Sequence, residues 1–282
     1  TTRRDLVKLV LCTLPTTGVL ALLVWSIARS GYMSNDSAAA WYAVVALACA
    51  LQIVKALRVN LPKLRSGVPV EESYHFNSVA ALNTAYFASF GAELAVVSML
   101  PAFFEETFSL GPVSSGMSAS AFVLASLFAR PLGGMLSDRT SSRKNTMAVY
   151  MLGITLGFFL MALIDAWWPL ALALFVTVIC SFFVQGAKGA AFGIIPSVNR
   201  RLTGQISGMT AAYGSVGAVF YLTLYTFLSS KQFFFVLAAC AFSSFLFCVV
   251  FLREPHGGFA EEYHVSPTPR EEARGWSGGR ER

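Results

Sequence analysis

The chain runs to 282 residues, of which 55% are hydrophobic and only 13% charged, with a net charge of +6. Water-soluble domains carry about 25% charged residues, which excludes an ordinary soluble globule. A nucleic-acid binder is excluded as well, because the positive charge is split among short clusters between apolar runs rather than gathered on one face.

Eight apolar runs follow one another, roughly 6–28, 41–57, 78–104, 113–136, 146–164, 168–195, 204–228 and 232–252. Each is near the ~20 residues that a helix needs to cross a ~30 Å hydrocarbon layer, and the second is the shortest. A segment such as Phe233-Phe234-Phe235-Val236-Leu237 is apolar on every side, whereas the strands of membrane barrels alternate. In lipid a helix satisfies its own backbone groups. The fold class expected is therefore an all-α membrane protein. Residues 1–60 are assigned two transmembrane helices, 61–76 a polar cytoplasmic linker with Pro62, Gly67 and Pro69, 77–252 six spans with short loops, and 253–282 a disordered polar tail. The first residue is Thr and no signal peptide is visible. A missing upstream portion is expected, with the two-plus-six pattern fitting the end of one six-helix half joined to a complete second half.

The basic residues orient the runs. Of 21 Lys and Arg, 17 fall on one side if the spans alternate, and only Arg29 and Lys231 on the other. Positive residues favour the cytoplasm, so both ends are expected there, in a cell membrane. The five cysteines (Cys12, Cys49, Cys180, Cys240, Cys248) all lie in apolar runs and read as packing residues. The three histidines (His75, His256, His264) sit in loops or the tail. No metal spacing and no Ser/His/Asp or Cys/His constellation stands out, so neither cofactor nor enzyme is expected.

Only three charged residues lie well inside the apolar runs: Glu93, Arg130 and Lys188. At that depth a charge is expensive and usually faces a cavity or a partner. Arg130, in Ala129-Arg130-Pro131-Leu132-Gly133-Gly134, offers a planar fork of donors that a small oxyanion can take two at a time. The plainer reading is a structural pair with Glu93. Pro131 and the two glycines beside it allow a kink and close packing. Glu93 is either a proton site or a structural partner for a helix or for Lys188. Lys188 either adds positive charge to an anion path or snorkels to the cytoplasmic surface. Tyr86 and Phe90, four residues apart, share a helix face. Small residues at Gly204, Gly208, Ala211, Ser215 and Ala218 form a stripe along which two helices can approach.

Gly133-Gly134-Met135-Leu136-Ser137-Asp138-Arg139, with Arg143-Lys144 beyond it, resembles the loop motif of the major facilitator superfamily. That loop joins helices 8 and 9 in the family's second half, so the six spans from residue 77 correspond to helices 7 to 12. The stretch Tyr86 to Pro101 resembles helix 7 of the nitrate/nitrite porter family. Ala129 to Gly134 resembles its helix 8, and Thr203 to Gly208 with Ala212 to Val219 its second signature on helix 11. The resemblance covers about residues 75–255. It implies a bundle of that superfamily and a secondary transporter of nitrate and/or nitrite working by alternating access. Carried over by position, Arg130 binds the anion, Tyr86 hydrogen-bonds it and Phe90 walls the site. Gly204, Gly208, Gly214, Ser215 and Gly217 form the helix 11 packing signature, and Asp138, Arg139 and Arg143 a cytoplasmic gate. Partners implied are the nitrate or nitrite anion, membrane lipid and the missing N-terminal half. Ser215 and Met209 stand where asparagine is frequent in the signature. The helix 2 arginine and the first signature on helix 5 have no counterpart here. The alternatives are a superfamily transporter of another small anion and a non-transporting truncated subunit.

Overall fold

The computed structural model describes residues 3–66, 74–140 and 142–252. Ten α-helical segments are described: α1 Arg3–Arg29, α2 Asn35–Ser66, α3 Phe76–Tyr86, α4 Ala92–Phe108, α5 Pro112–Leu124, α6 Ser126–Arg139, α7 Arg143–Ala162, α8 Leu170–Val198, α9 Thr203–Tyr225 and α10 Ser230–Phe251. A π-helical turn over Phe87–Gly91 fuses α3 and α4 into one rod, and α5 and α6 are continuous but for a turn at Ala125. The segments therefore make eight rods at the positions of the eight apolar runs. Seven are long and apolar enough to cross a membrane. The eighth, α9, has the length of 23 residues but begins with Thr203, Gly204, Gln205, Ser207, Gly208 and Thr210, too polar a stretch to be a span on composition alone.

One boundary differs from the sequence reading. The linker assigned to 61–76 begins late, because α2 continues through Pro62 to Ser66. Proline removes one helical N–H; α2 is mostly exposed, so no packed core opposes the ring. Residues 67–73 of that linker and the tail 253–282 lie outside the described residues. The kink that Pro131 allows does not interrupt the helix, since α6 runs through Pro131, and the one non-helical residue of the α5–α6 rod is Ala125.

Glycine sets how the rods meet. A Cβ on Gly133 of α6 would lie 2.4 Å from the Gly186 Cα of α8, and one on Gly189 would lie 2.2 Å from the Arg130 carbonyl oxygen. Only glycine permits these backbones to touch. On the other flank of α8, Gly157 of α7 leaves room for the Cys180 side chain, and Gly153 for Phe183. A core of Met99, Phe103, Phe104, Phe158, Phe233 and Phe234 fills the space between α4, α7 and α10. The helix pair α1–α2 lies outside this unit. It is joined by the Tyr213 hydroxyl donating to the Cys12 carbonyl (2.8 Å), by Lys8 donating to Asn77 (3.1 Å) and by Trp25 against Phe227.

Candidate anion site

The three deep charges converge. Arg130 reaches from α6, Glu93 from α4 and Lys188 from α8. The Arg130 Nη2 donates to Glu93 Oε1 at 3.2 Å, and Lys188 Nζ pairs with the other oxygen, Oε2. Gln185, one turn before Lys188 on α8, bridges the pair. Its Nε2 donates to Glu93 Oε1 at 2.7 Å, and its Oε1 accepts from Arg130 Nε at 2.9 Å. The glycine contacts are what allow this: Gly186 and Gly189 bring α8 against α6, and Gln185 and Lys188 ride on the same crossing. The four side chains carry two positive charges and one negative.

The members differ in exposure. Gln185 is fully buried and Lys188 only 2% exposed, so Lys188 does not snorkel to the surface. It is turned into the protein by Glu93. The Arg130 side chain is 51% exposed. Its Nε–Nη2 edge is taken by Gln185 and Glu93, and its Nη1 has no hydrogen-bond partner among the described residues. An oxyanion could meet the open end of the guanidinium without breaking the pair, so the two readings of Arg130, structural pair and anion contact, are compatible in this geometry.

Aromatic rings wall the site. Tyr86 and Phe90 stack at 5.3 Å with planes 10° apart, and Phe192 of α8 meets Tyr86 edge-on at 5.3 Å. Lys188 Nζ lies 5.7 Å from the Phe90 ring centre. Tyr86 stands immediately before the π-turn and Phe90 within it, an irregularity often found at functional sites. Opposite them Gly214 of α9 has no side chain: a Cβ there would stand 2.5 Å from the Tyr86 ring and 2.9 Å from that of Phe90. Gly217 does the same for the π-turn backbone, its Cβ position being 2.7 Å from the Phe87 carbonyl oxygen. Thr210, on the same face, donates to the buried Asn83 at 2.9 Å.

The packing stripe on α9 is therefore shifted by one residue from the one read in the sequence. Gly204 and Gly208 have nothing within 4 Å, and Ser215 is exposed and bonds back to its own helix at Ala211. Gly214 and Gly217 make the close contact. The loop motif forms a separate cluster. Arg143, 7% exposed, pairs with Asp138 at 2.8 Å and donates to the Gly193 carbonyl and the Ser197 hydroxyl at 2.8 Å each. This ties the α6–α7 junction to α8. Arg139 is exposed and makes no polar contact among the described residues. Gln185, the Asn83–Thr210 pair and the π-turn were missed in the sequence. The first had a signal: an amide three residues from a deep lysine shares its helix face.

A helical membrane unit built around a buried charge cluster, with one guanidinium end left open, is the class that fold and site define. The chain belongs to the major facilitator superfamily, whose sequence profile matches residues 82–277. It is similar to the nitrate/nitrite transporter NrtP of Picosynechococcus sp., 40% identical over 95% of this chain and 53% of that protein. NrtP of Nostoc punctiforme is 37% identical over 86% of the chain and 50% of its own length. The high-affinity nitrate transporter 2.3 of Oryza sativa subsp. japonica is 38% identical over 54% of the chain and 30% of its own length. The chain spans about half the length of the first two of these curated relatives.

Proposed function

We propose that this chain is the C-terminal portion of a transporter that moves nitrate and/or nitrite across the cell membrane by alternating access, with both ends of the chain cytoplasmic. Arg130 binds the anion through the open end of its guanidinium. Tyr86 donates to it and Phe90 walls it. Glu93 holds the arginine and offsets its charge, Lys188 pairs with the other oxygen of Glu93, and Asp138, Arg139 and Arg143 act at the cytoplasmic gate. The missing N-terminal half supplies the opposing wall of the cavity and a second cationic group.

The observation that carries this reading is the half-exposed guanidinium fixed along one edge, next to stacked aromatic rings, in a chain 40% identical to a nitrate/nitrite transporter. Arginine presents two parallel donors to a planar oxyanion and lysine presents a point charge. The test is nitrate uptake by the transporter, complete with the rest of its sequence, carrying Arg130→Lys. Uptake is expected to be abolished while the protein still reaches the membrane. Uptake at the unmodified level would remove Arg130 from the site and the reading with it.

A further inference from the structure

Gln185 is fully buried in the centre of a helix, at a position where an apolar side chain would pack at no desolvation cost. Both ends of its amide are engaged. The oxygen accepts from Arg130 Nε at 2.9 Å, and the nitrogen donates to Glu93 Oε1 at 2.7 Å. A primary amide offers an acceptor to a guanidinium and a donor to a carboxylate at once, from two separate atoms. A carboxylate there would face Glu93 with like charge, and an apolar group would leave both partners short of one bond.

A guanidinium has more than one way to present donors: through its Nε–Nη2 side edge or through its Nη1–Nη2 end. Glu93 alone, at 3.2 and 3.4 Å from the same Nη2, fixes one nitrogen and leaves the plane free to swivel about it. Gln185 adds the second point, at Nε, and closes the side edge. Two points fix the plane, and the Nη1–Nη2 end is what remains for a ligand.

We propose that Gln185 is the positioning residue of the anion site. It locks the plane of the Arg130 guanidinium so that the terminal fork, not the side edge, meets a planar oxyanion, and thereby sets both affinity and the preference for planar over pyramidal anions. This rests on the reading of Arg130 as the anion-binding residue. Gln185 itself does not touch the anion.

The test compares Gln185→Met and Arg130→Lys in the transporter with the rest of its sequence present, measuring uptake of nitrate and, in competition, of chlorate, a pyramidal oxyanion of the same charge. Methionine keeps the volume and removes both hydrogen bonds. For Gln185→Met the nitrate KM is expected to rise about tenfold, the worth of one hydrogen bond to a charged group. The maximal rate should be unchanged and the advantage of nitrate over chlorate should shrink. A merely structural glutamine would lower the amount of protein or the maximal rate and leave the nitrate-to-chlorate ratio as it was, which overturns the proposal. So does a wild-type KM and ratio in Gln185→Met when Arg130→Lys abolishes uptake. Wild-type uptake in Arg130→Lys instead removes the underlying reading. If Gln185→Met does not accumulate in the membrane, Gln185→Asn takes its place: it keeps the amide but is one methylene too short to reach both partners, and the same shift in KM and ratio is expected.

Discussion

The two N-terminal helices and the six-helix unit are made from equally apolar sequence, yet they are built differently. In their most apolar stretches α1 and α2 bury 17% and 6% of residues inside the protein. Within the unit the α3–α4 rod buries 56%, α7 50%, α8 44% and α10 39%, and the α5–α6 rod, the least covered of these, 22%. Hydropathy thus records which segments prefer lipid to water and says little about which pack on one another. What separates the two regions is the kind of residue placed among the apolar ones. The unit has glycines at the helix crossings, Gly133, Gly186, Gly189, Gly214 and Gly217, and a buried set of charges. The α1–α2 pair has Gly18, with nothing within 4 Å, and no deep charge. Between membrane helices there is no hydrophobic effect to drive association, so close backbone contact and polar bonds must supply it.

If this is the difference, its largest signature is in the charges. Replacing Glu93 by Leu leaves Lys188 buried without its carboxylate and beside Arg130. Removing one member of a buried pair costs about 3–5 kcal/mol. A correspondingly large drop in the unfolding free energy of the purified transporter is expected, and much of it should return in the double variant Glu93→Leu with Lys188→Met, where no fully buried charge is left over. Equal stability of Glu93→Leu and wild type would show that the charges do not hold the unit together. Next comes Gly189→Ala. One added carbon would sit 2.2 Å from the Arg130 carbonyl, a contact that can be relieved only by moving α8 off α6. Overpacking of this kind costs about 1–3 kcal/mol. Here it should also weaken nitrate uptake, because Gln185 and Lys188 move with α8. A stable variant with wild-type uptake would mean that the crossing is not as tight as it stands.

Much of this was legible in the sequence, and the parts that were not share a cause. The number and places of the rods follow from the apolar runs, because lipid punishes polar backbone wherever it is exposed. That Glu93, Arg130 and Lys188 are special also follows, because each is costly alone. Which of them meet does not follow: Lys188 could equally have snorkelled, and it is the pairing with Glu93, at a crossing of α8 with α6 that glycine makes close, that turns it inward. The α9 stripe makes the same point. Gly204, Gly208, Ala211, Ser215, Ala218 and the neighbouring Thr210, Gly214, Gly217, Tyr221 have the same spacing of four and three. Both run along the helix, and the second is the one that packs against Tyr86, Phe87 and Phe90. A pattern along one helix fixes a face, but choosing between two adjacent faces takes the shape of the neighbour. The π-turn lies at that same contact and has no signature of its own in Phe87-Ala88-Ser89-Phe90-Gly91.

The smallest effect expected is the counterpart of Gly189→Ala in the other region. Gly18 lies inside α1 and borders an apolar groove of about 740 Å³ between α1, α3, α9 and α10. A Cβ there meets no atom within 4 Å. Alanine at an interior helical position is favoured over glycine by about 0.5–1 kcal/mol, because glycine loses more backbone freedom on folding. Gly18→Ala is therefore expected to leave uptake unchanged and to leave the thermal unfolding midpoint level or slightly raised. The same substitution thus has opposite signs at Gly18 and Gly189, and the sign is decided by whether a backbone or an open groove lies opposite. A destabilised Gly18→Ala in the whole transporter would mean that something fills the groove against α1. The contrast between a loosely covered helix pair and a packed unit would then hold for these residues alone and not for the complete protein.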